Sequence, residues 1–149
     1  MDWFNSCTGF AGRVCLHPAA LVAVGCAVGG NLRYWLAKGV NARPWAEGLP
    51  WATFLINVSG SFLLGIAAEL YIERTTSDTR REIYLLLGTG FCGGYTTFST
   101  FSYEMLKLMR EGHWDWAVIY ALGSVIVSLL GVWLGMHLTL MCSPRPPIS

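Results

Sequence analysis

The stretch at positions 88–104, GTGFCGGYTTFSTFSYE, carries no charge before Glu104 and lies between apolar runs. It is rich in Gly, Thr and Ser, which are poor or middling helix formers, so a soluble core helix describes it badly. A membrane helix tolerates such residues where the freed backbone groups face protein or a watery cavity rather than lipid. The stretch is therefore expected to be a broken transmembrane segment. Breaks held at membrane depth are where transport sites are built.

The rest of the chain suits this housing. Of 149 residues, 54% are hydrophobic and 13% charged, against roughly 25% charged in soluble domains. The fold class is all-α integral membrane. The formal net charge of +1 leaves no polyanion footprint, so nucleic acid is not expected as a partner. A bundle this short encloses little interior, and a pore would call for a second copy. The five cysteines, Cys7, Cys15, Cys26, Cys92 and Cys142, are odd in number and form no CxxC pair. That argues against a disulfide frame and a zinc site, and for packing roles.

Positions 1–17 form a leader in which Trp3 and Phe4 suit the membrane interface. They lack the layout of a signal peptide. A transmembrane domain over 18–140 follows, and a proline-rich, disordered tail covers 141–149. Four spans are expected, each near the ~20 residues a bilayer needs. The first, 18–38, carries Gly25-x-x-x-Gly29, a spacing that lets helices approach closely. Arg33 follows, next to Tyr34 and Trp35. These aromatics look like an interfacial belt, so Arg33 is expected to snorkel to the headgroups. A helix-end contact or an anion-attracting vestibule is the alternative.

The second span covers 50–71 and opens on Pro50, a good first helical residue. Asn57, Ser61 and Gly65 share one face at i, i+4, i+8. Lipid cannot satisfy a buried amide, so Asn57 either bonds another helix or lines a pore as a donor. Positions 72–82 are expected to be a charged loop. The third, broken span covers 83–109 and the fourth 116–140. Tyr120, Ser124 and Ser128 form a polar stripe on the fourth, and Gly131-x-x-x-Gly135 gives a second close-packing surface.

Four spans place both termini on one side. That side then holds Arg13, Arg74, Arg80, Arg81 and Arg145, and the other holds Lys38, Arg43, Lys107 and Arg110. Five against four is almost no positive-inside bias. Insertion in both orientations, and an antiparallel homodimer bringing two broken segments together, become possible.

No constellation looks enzymatic. His17, His113 and His137 are scattered, and Gly88-x-Gly90-x-x-Gly93 matches the dinucleotide pattern without its strand or later acid. What remains is a neutral, donor-rich set: Asn57, Thr97, Ser99, Thr100, Tyr120, Ser124 and Ser128. Cation transporters place a carboxylate at depth, whereas Glu69 and Glu104 lie toward span ends. Hydroxyl and amide hydrogens without carboxylates suit a small anion. Phe98 and Phe101 stack at i, i+3; packing is the usual role of such a pair, and positive ring edges facing an anion the sharper one. Unwinding at Gly93, Gly94, Thr96 and Thr97 would expose carbonyls, and two such breaks across a dimer axis would offer oxygen ligands to a hard cation.

The sequence resembles the Fluc (CrcB) fluoride channels. The matching pieces are Gly29-Gly30-x-x-Arg33, Asn57-Val58-Ser59-Gly60-Ser61-Phe62 and the stretch GFCGGYTTFSTF at 90–101. The resemblance spans roughly 18–140. It implies a dual-topology antiparallel homodimer in the inner membrane of a bacterium, with two pores passively exporting fluoride. It implies that Asn57 is a pore donor, Phe98 and Phe101 are the pore phenylalanines, and Thr100, Tyr120, Ser124 and Ser128 belong to the polar pore lining. Arg33 would sit near a pore entrance and Glu104 beside the inner end of the polar track. Gly93 and Thr96 would give carbonyls to a central structural Na⁺ that is not transported. The rival is a small multidrug-type, proton-coupled cation exporter, which needs an acid in the first span; here the ionisable group before Lys38 is Arg33.

Overall fold

A computed structural model describes residues 17–72 and 78–142. The leader up to 16, the tail from 143 and positions 73–77 of the charged loop lie outside the described residues. All regular structure among the described residues is helical. In chain order it comprises α1 (Pro18–Asn41), a short 3-10 turn (Pro44–Ala46), α2 (Trp51–Ile72), α3 (Asp78–Tyr84), a π-helical segment (Leu85–Cys92), α4 (Gly93–Tyr95), α5 (Phe98–Arg110) and α6 (Trp114–Cys142). Three of these, α1, α2 and α6, are long and apolar enough to cross a membrane.

The ends follow local rules. His17 caps α1, its Nδ1 accepting from Ala19 N at 3.3 Å, and Pro18 fills the first turn, where no N–H partner is needed. Gly48 (φ +87°) and Gly112 (φ +84°) stand in the turns before α2 and after α5, a conformation that other residues rarely adopt. The expected charged loop is partly wrong. Its second half is helical in α3, because Arg and Glu are good helix formers once an apolar turn follows them. Tyr84 at the end of α3 stacks on Tyr71 of α2, with ring centroids 4.6 Å apart.

Two glycine faces set the packing. On α1, a Cβ at Gly25 would run into Leu86 O and lie 2.7 Å from Phe91 N, and one at Gly29 would run into Phe91 O and lie 2.8 Å from Tyr95 N. The π-helical segment and α4 therefore lie directly on α1, backbone against backbone. On α6, a Cβ at Gly135 would meet Phe62 O and one at Gly131 would lie 3.1 Å from Val58 O, while on α2 one at Gly65 would meet Val132 O. Both predicted small-residue surfaces are thus used. A compact core of Phe101, Leu108, Ala117 and Tyr120, flanked by Phe54, joins α5 to α6 and α2.

Gly29→Val forces a branched side chain into the backbone of the neighbouring segment, and overpacking of this kind costs about 1–3 kcal/mol or more. This variant is expected to lose its sharp size-exclusion peak and melt well below the parent. Gly39→Ala, where a Cβ meets nothing within 4 Å, is expected to melt at or slightly above it, since Ala gains about 0.5–1 kcal/mol over Gly in a helix.

Candidate functional site

The site is built around a break at two threonines. Thr96 (φ −80°, ψ 162°) and Thr97 (φ −153°, ψ 119°) are extended, which opens the helical ladder between α4 and α5. In a continuous helix the Thr97 N–H would return to Gly93 O. Instead it donates to Asn57 Oδ1 at 2.9 Å. Asn57 Nδ2 in turn donates to Thr97 O at 3.1 Å. One amide side chain on α2 thus satisfies both backbone polar groups of one buried residue. The preceding carbonyl, Thr96 O, accepts from Arg33 Nη1 of α1 at 3.2 Å. Thr96 itself stays tied to the end of the π-helical segment, its N–H and its hydroxyl both donating to Cys92 O at 2.9 Å. Thr97 then caps α5: its Oγ1 accepts from Thr100 N at 3.2 Å and donates to Thr100 Oγ1 at 3.0 Å.

Arg33 corrects an expectation. It does not snorkel away from the protein but is half-buried with a nitrogen on the break. The helix-end alternative is the one realised. The physical reason is that the break leaves the Thr96 carbonyl without its helical donor, since the Thr100 N–H bonds Thr97 Oγ1, and a carbonyl is costly to leave unsatisfied in apolar surroundings. Arg33 continues the i, i+4 row of Gly25 and Gly29 that lies on this segment, a period that gives its face of the helix but not the route its side chain takes.

Beside the break, between α2, α5 and α6, lies a cleft of about 360 Å³. Asn57, Ser61, Thr97, Phe98, Phe101, Ser124 and Ser128 line it. Ser124 is buried, and its Oγ has no hydrogen-bond partner. Buried hydroxyls are normally satisfied, and this one, in the cleft lining, is left free to bond a group in the cleft. Phe98 lines the cleft and is 78% exposed. The ring centroids of Phe98 and Phe101 are 5.7 Å apart, and those of Phe101 and Tyr120 5.1 Å.

Tyr120 and Glu104 form a second cluster at the far side of Phe101. Tyr120 Oη donates to Glu104 Oε2 and Thr53 Oγ1 donates to Glu104 Oε1, each at 2.9 Å. Thr53 was missed in the sequence, although it lies one turn before Asn57 on the same face. Thr100 is absent from the cleft lining; its N–H and hydroxyl are engaged with Thr97.

The break also suits a cation. With the Thr97 N–H diverted to Asn57, the Gly93 carbonyl loses its helical donor. Gly93 is exposed, and a Cβ there would meet nothing within 4 Å. Neutral carbonyl oxygens of this kind fit a hard, oxygen-seeking cation. Gly93 and Thr96 would hold it, supplying carbonyl oxygens without a carboxylate.

Asn57→Ala would strand the Thr97 N–H and carbonyl, at about 1–3 kcal/mol for each unsatisfied group. The expected outcome is a clear fall in the melting temperature of the detergent-solubilised protein, whereas Ser128→Ala at the cleft wall should leave it nearly unchanged.

Residues 20–136 match the family model described as CrcB-like protein, Camphor Resistance (CrcB). The chain is 47% identical over 120 residues to a fluoride-specific ion channel FluC of Paramagnetospirillum magneticum, covering 78% of this chain and 90% of that one. It is 42% identical over 118 residues to a protein of the same name from Prosthecochloris aestuarii, covering 79% and 89%. A FluC of Thermus thermophilus is 43% identical over 118 residues, covering 79% and 90%. With a family match over most of its length and relatives this similar, the chain belongs to the CrcB-like family.

Proposed function

We propose that the protein is a fluoride-selective ion channel that lets F⁻ leave the cytoplasm down its electrochemical gradient. The single observation that carries this reading is the cleft at the broken helix, lined by the unpartnered Ser124 hydroxyl, the Asn57 amide and the Phe98–Phe101 rings. The names of its relatives support the choice of ion.

Fluoride is small and strongly hydrated, so a path through a membrane must replace its water with hydrogen-bond donors. Asn57 spends one Nδ2 hydrogen on Thr97 O and keeps the other for the cleft. Ser124 and Ser128 add hydroxyl hydrogens, and the rings of Phe98 and Phe101 can turn positive edges toward the ion. A narrow, donor-lined path excludes chloride, which is larger. No acid lies on α1, and Glu104 is held by Thr53 and Tyr120, which disfavours proton-coupled cation exchange. HF crosses membranes and dissociates in a more neutral cytoplasm, stranding F⁻. A negative-inside potential then drives F⁻ outward at ~2.3 kcal/mol per charge per 100 mV.

In this reading α1, α2 and α6 each cross the membrane. The residues from 78 to 110 make a fourth, broken crossing, long enough at ~1.5 Å per residue. Two copies insert in opposite orientations in the inner membrane of a bacterium, as the balanced loop charges allow. Each dimer holds two pores, and Gly93 and Thr96 of both copies hold a structural Na⁺ that is not carried across.

The test is F⁻ efflux from liposomes. Phe101→Ile is expected to cut the rate at least 100-fold with the dimer peak unchanged on size exclusion. Ser124→Ala removes one hydrogen bond to a charged ion, worth about 1.5–3 kcal/mol, and should slow efflux roughly tenfold or more. Parental rates in both variants would remove the cleft as the ion path.

A further inference from the structure

We propose that Arg33 is a positioning residue for the carbonyl oxygens of the break, holding the Thr96 carbonyl and limiting, through its charge, how tightly a monovalent cation binds there. The inference rests on the reading of Gly93 and Thr96 as sodium ligands.

A carbonyl oxygen has two lone pairs. Arg33 Nη1 occupies one side of Thr96 O at 3.2 Å, which leaves the other for a cation. The guanidinium is permanently protonated. A cation on Thr96 O would therefore share its oxygen with a fixed positive charge in a partly buried setting. Two like charges held this close repel, and the repulsion is much less damped than in water.

Neither partner can easily withdraw. Gly25 and Gly29 press the α1 backbone onto the segment that carries Thr96, with no room for a Cβ between them. That contact fixes the origin of the Arg33 side chain. Thr96 is anchored through its N–H and hydroxyl to Cys92 O, and Thr97 through both backbone groups to Asn57. The guanidinium is thus a built-in cation on one ligand oxygen. It satisfies Thr96 O when no ion is present and lowers the affinity when one arrives. Without it the break would face lipid or a second copy with a bare carbonyl.

The experiment separates the charge from the hydrogen bond. The thermal midpoint of the full-length dimer in detergent is titrated with Na⁺, with N-methylglucamine balancing ionic strength, because an ion that binds the folded state raises its midpoint. Citrulline placed at position 33 keeps the shape and N–H donors of arginine but carries no charge. It is expected to lower the half-saturating Na⁺ concentration at least tenfold. Arg33→Lys keeps the charge and should stay within threefold of the parent. A parental Na⁺ response with citrulline overturns the proposal, as does a tenfold gain with Arg33→Lys, which also carries the test if the citrulline protein does not assemble. A parent whose midpoint ignores Na⁺ would instead remove the sodium reading, and this inference with it.

Discussion

A helix interrupted inside a membrane releases carbonyl and amide groups that lipid cannot satisfy. At Thr96 and Thr97 those groups are taken up by two side chains from other helices. Asn57 closes a two-bond clamp on Thr97, and Arg33 covers Thr96 O. The rest of the arrangement follows from this. Diverting the Thr97 N–H frees the Gly93 carbonyl, starts α5 afresh at a threonine cap, and swings Phe98 and Phe101 to the wall of the cleft.

Close helix packing makes the clamp reachable. An arginine can bond a backbone carbonyl on a neighbouring segment only if its own helix lies very near. Gly25 and Gly29 bring α1 into backbone contact with the π-helical segment and α4. On the other side, Gly65, Gly131 and Gly135 bring α2 and α6 together, and Asn57 and Ser124 both line the one cleft. The π-helical turns, a form often found at functional sites, lie where Gly88 and Gly90 are buried. The same small residues that look like mere packing signals thus set the geometry of the polar groups.

Much of this was legible in the sequence. The break was visible because Gly, Thr and Ser crowd a stretch too apolar for a loop, and the spacing of Asn57 and Ser61, and of Ser124 and Ser128, predicted shared faces that meet in the cleft, whereas Tyr120, expected on the same stripe, is absent from the lining and bonds Glu104. Three of the expected spans have helices of crossing length, with ends that differ by at most a few residues. What stayed hidden were choices between near-equal local options. Arg33 had a snorkelling route and an inward route of similar reach, and only the position of Thr96 O decides between them. Thr53 is a hydroxyl at the start of a helix, ordinary until Glu104 and Tyr120 arrive from α5 and α6. Glu69 lies near the end of a span, where an exposed carboxylate is the default, yet its side chain is fully buried. Tertiary contact decides each of these, and no local period encodes it.

On this reading the clamped break makes a path for fluoride and for no larger halide. The most direct measurement is efflux from liposomes holding the purified protein, followed by a fluoride electrode and a chloride electrode in parallel with no proton gradient imposed. Rapid F⁻ release is expected, with chloride release at the level of empty liposomes. Equal release of both ions, or no F⁻ release from a well-folded dimer, would contradict it.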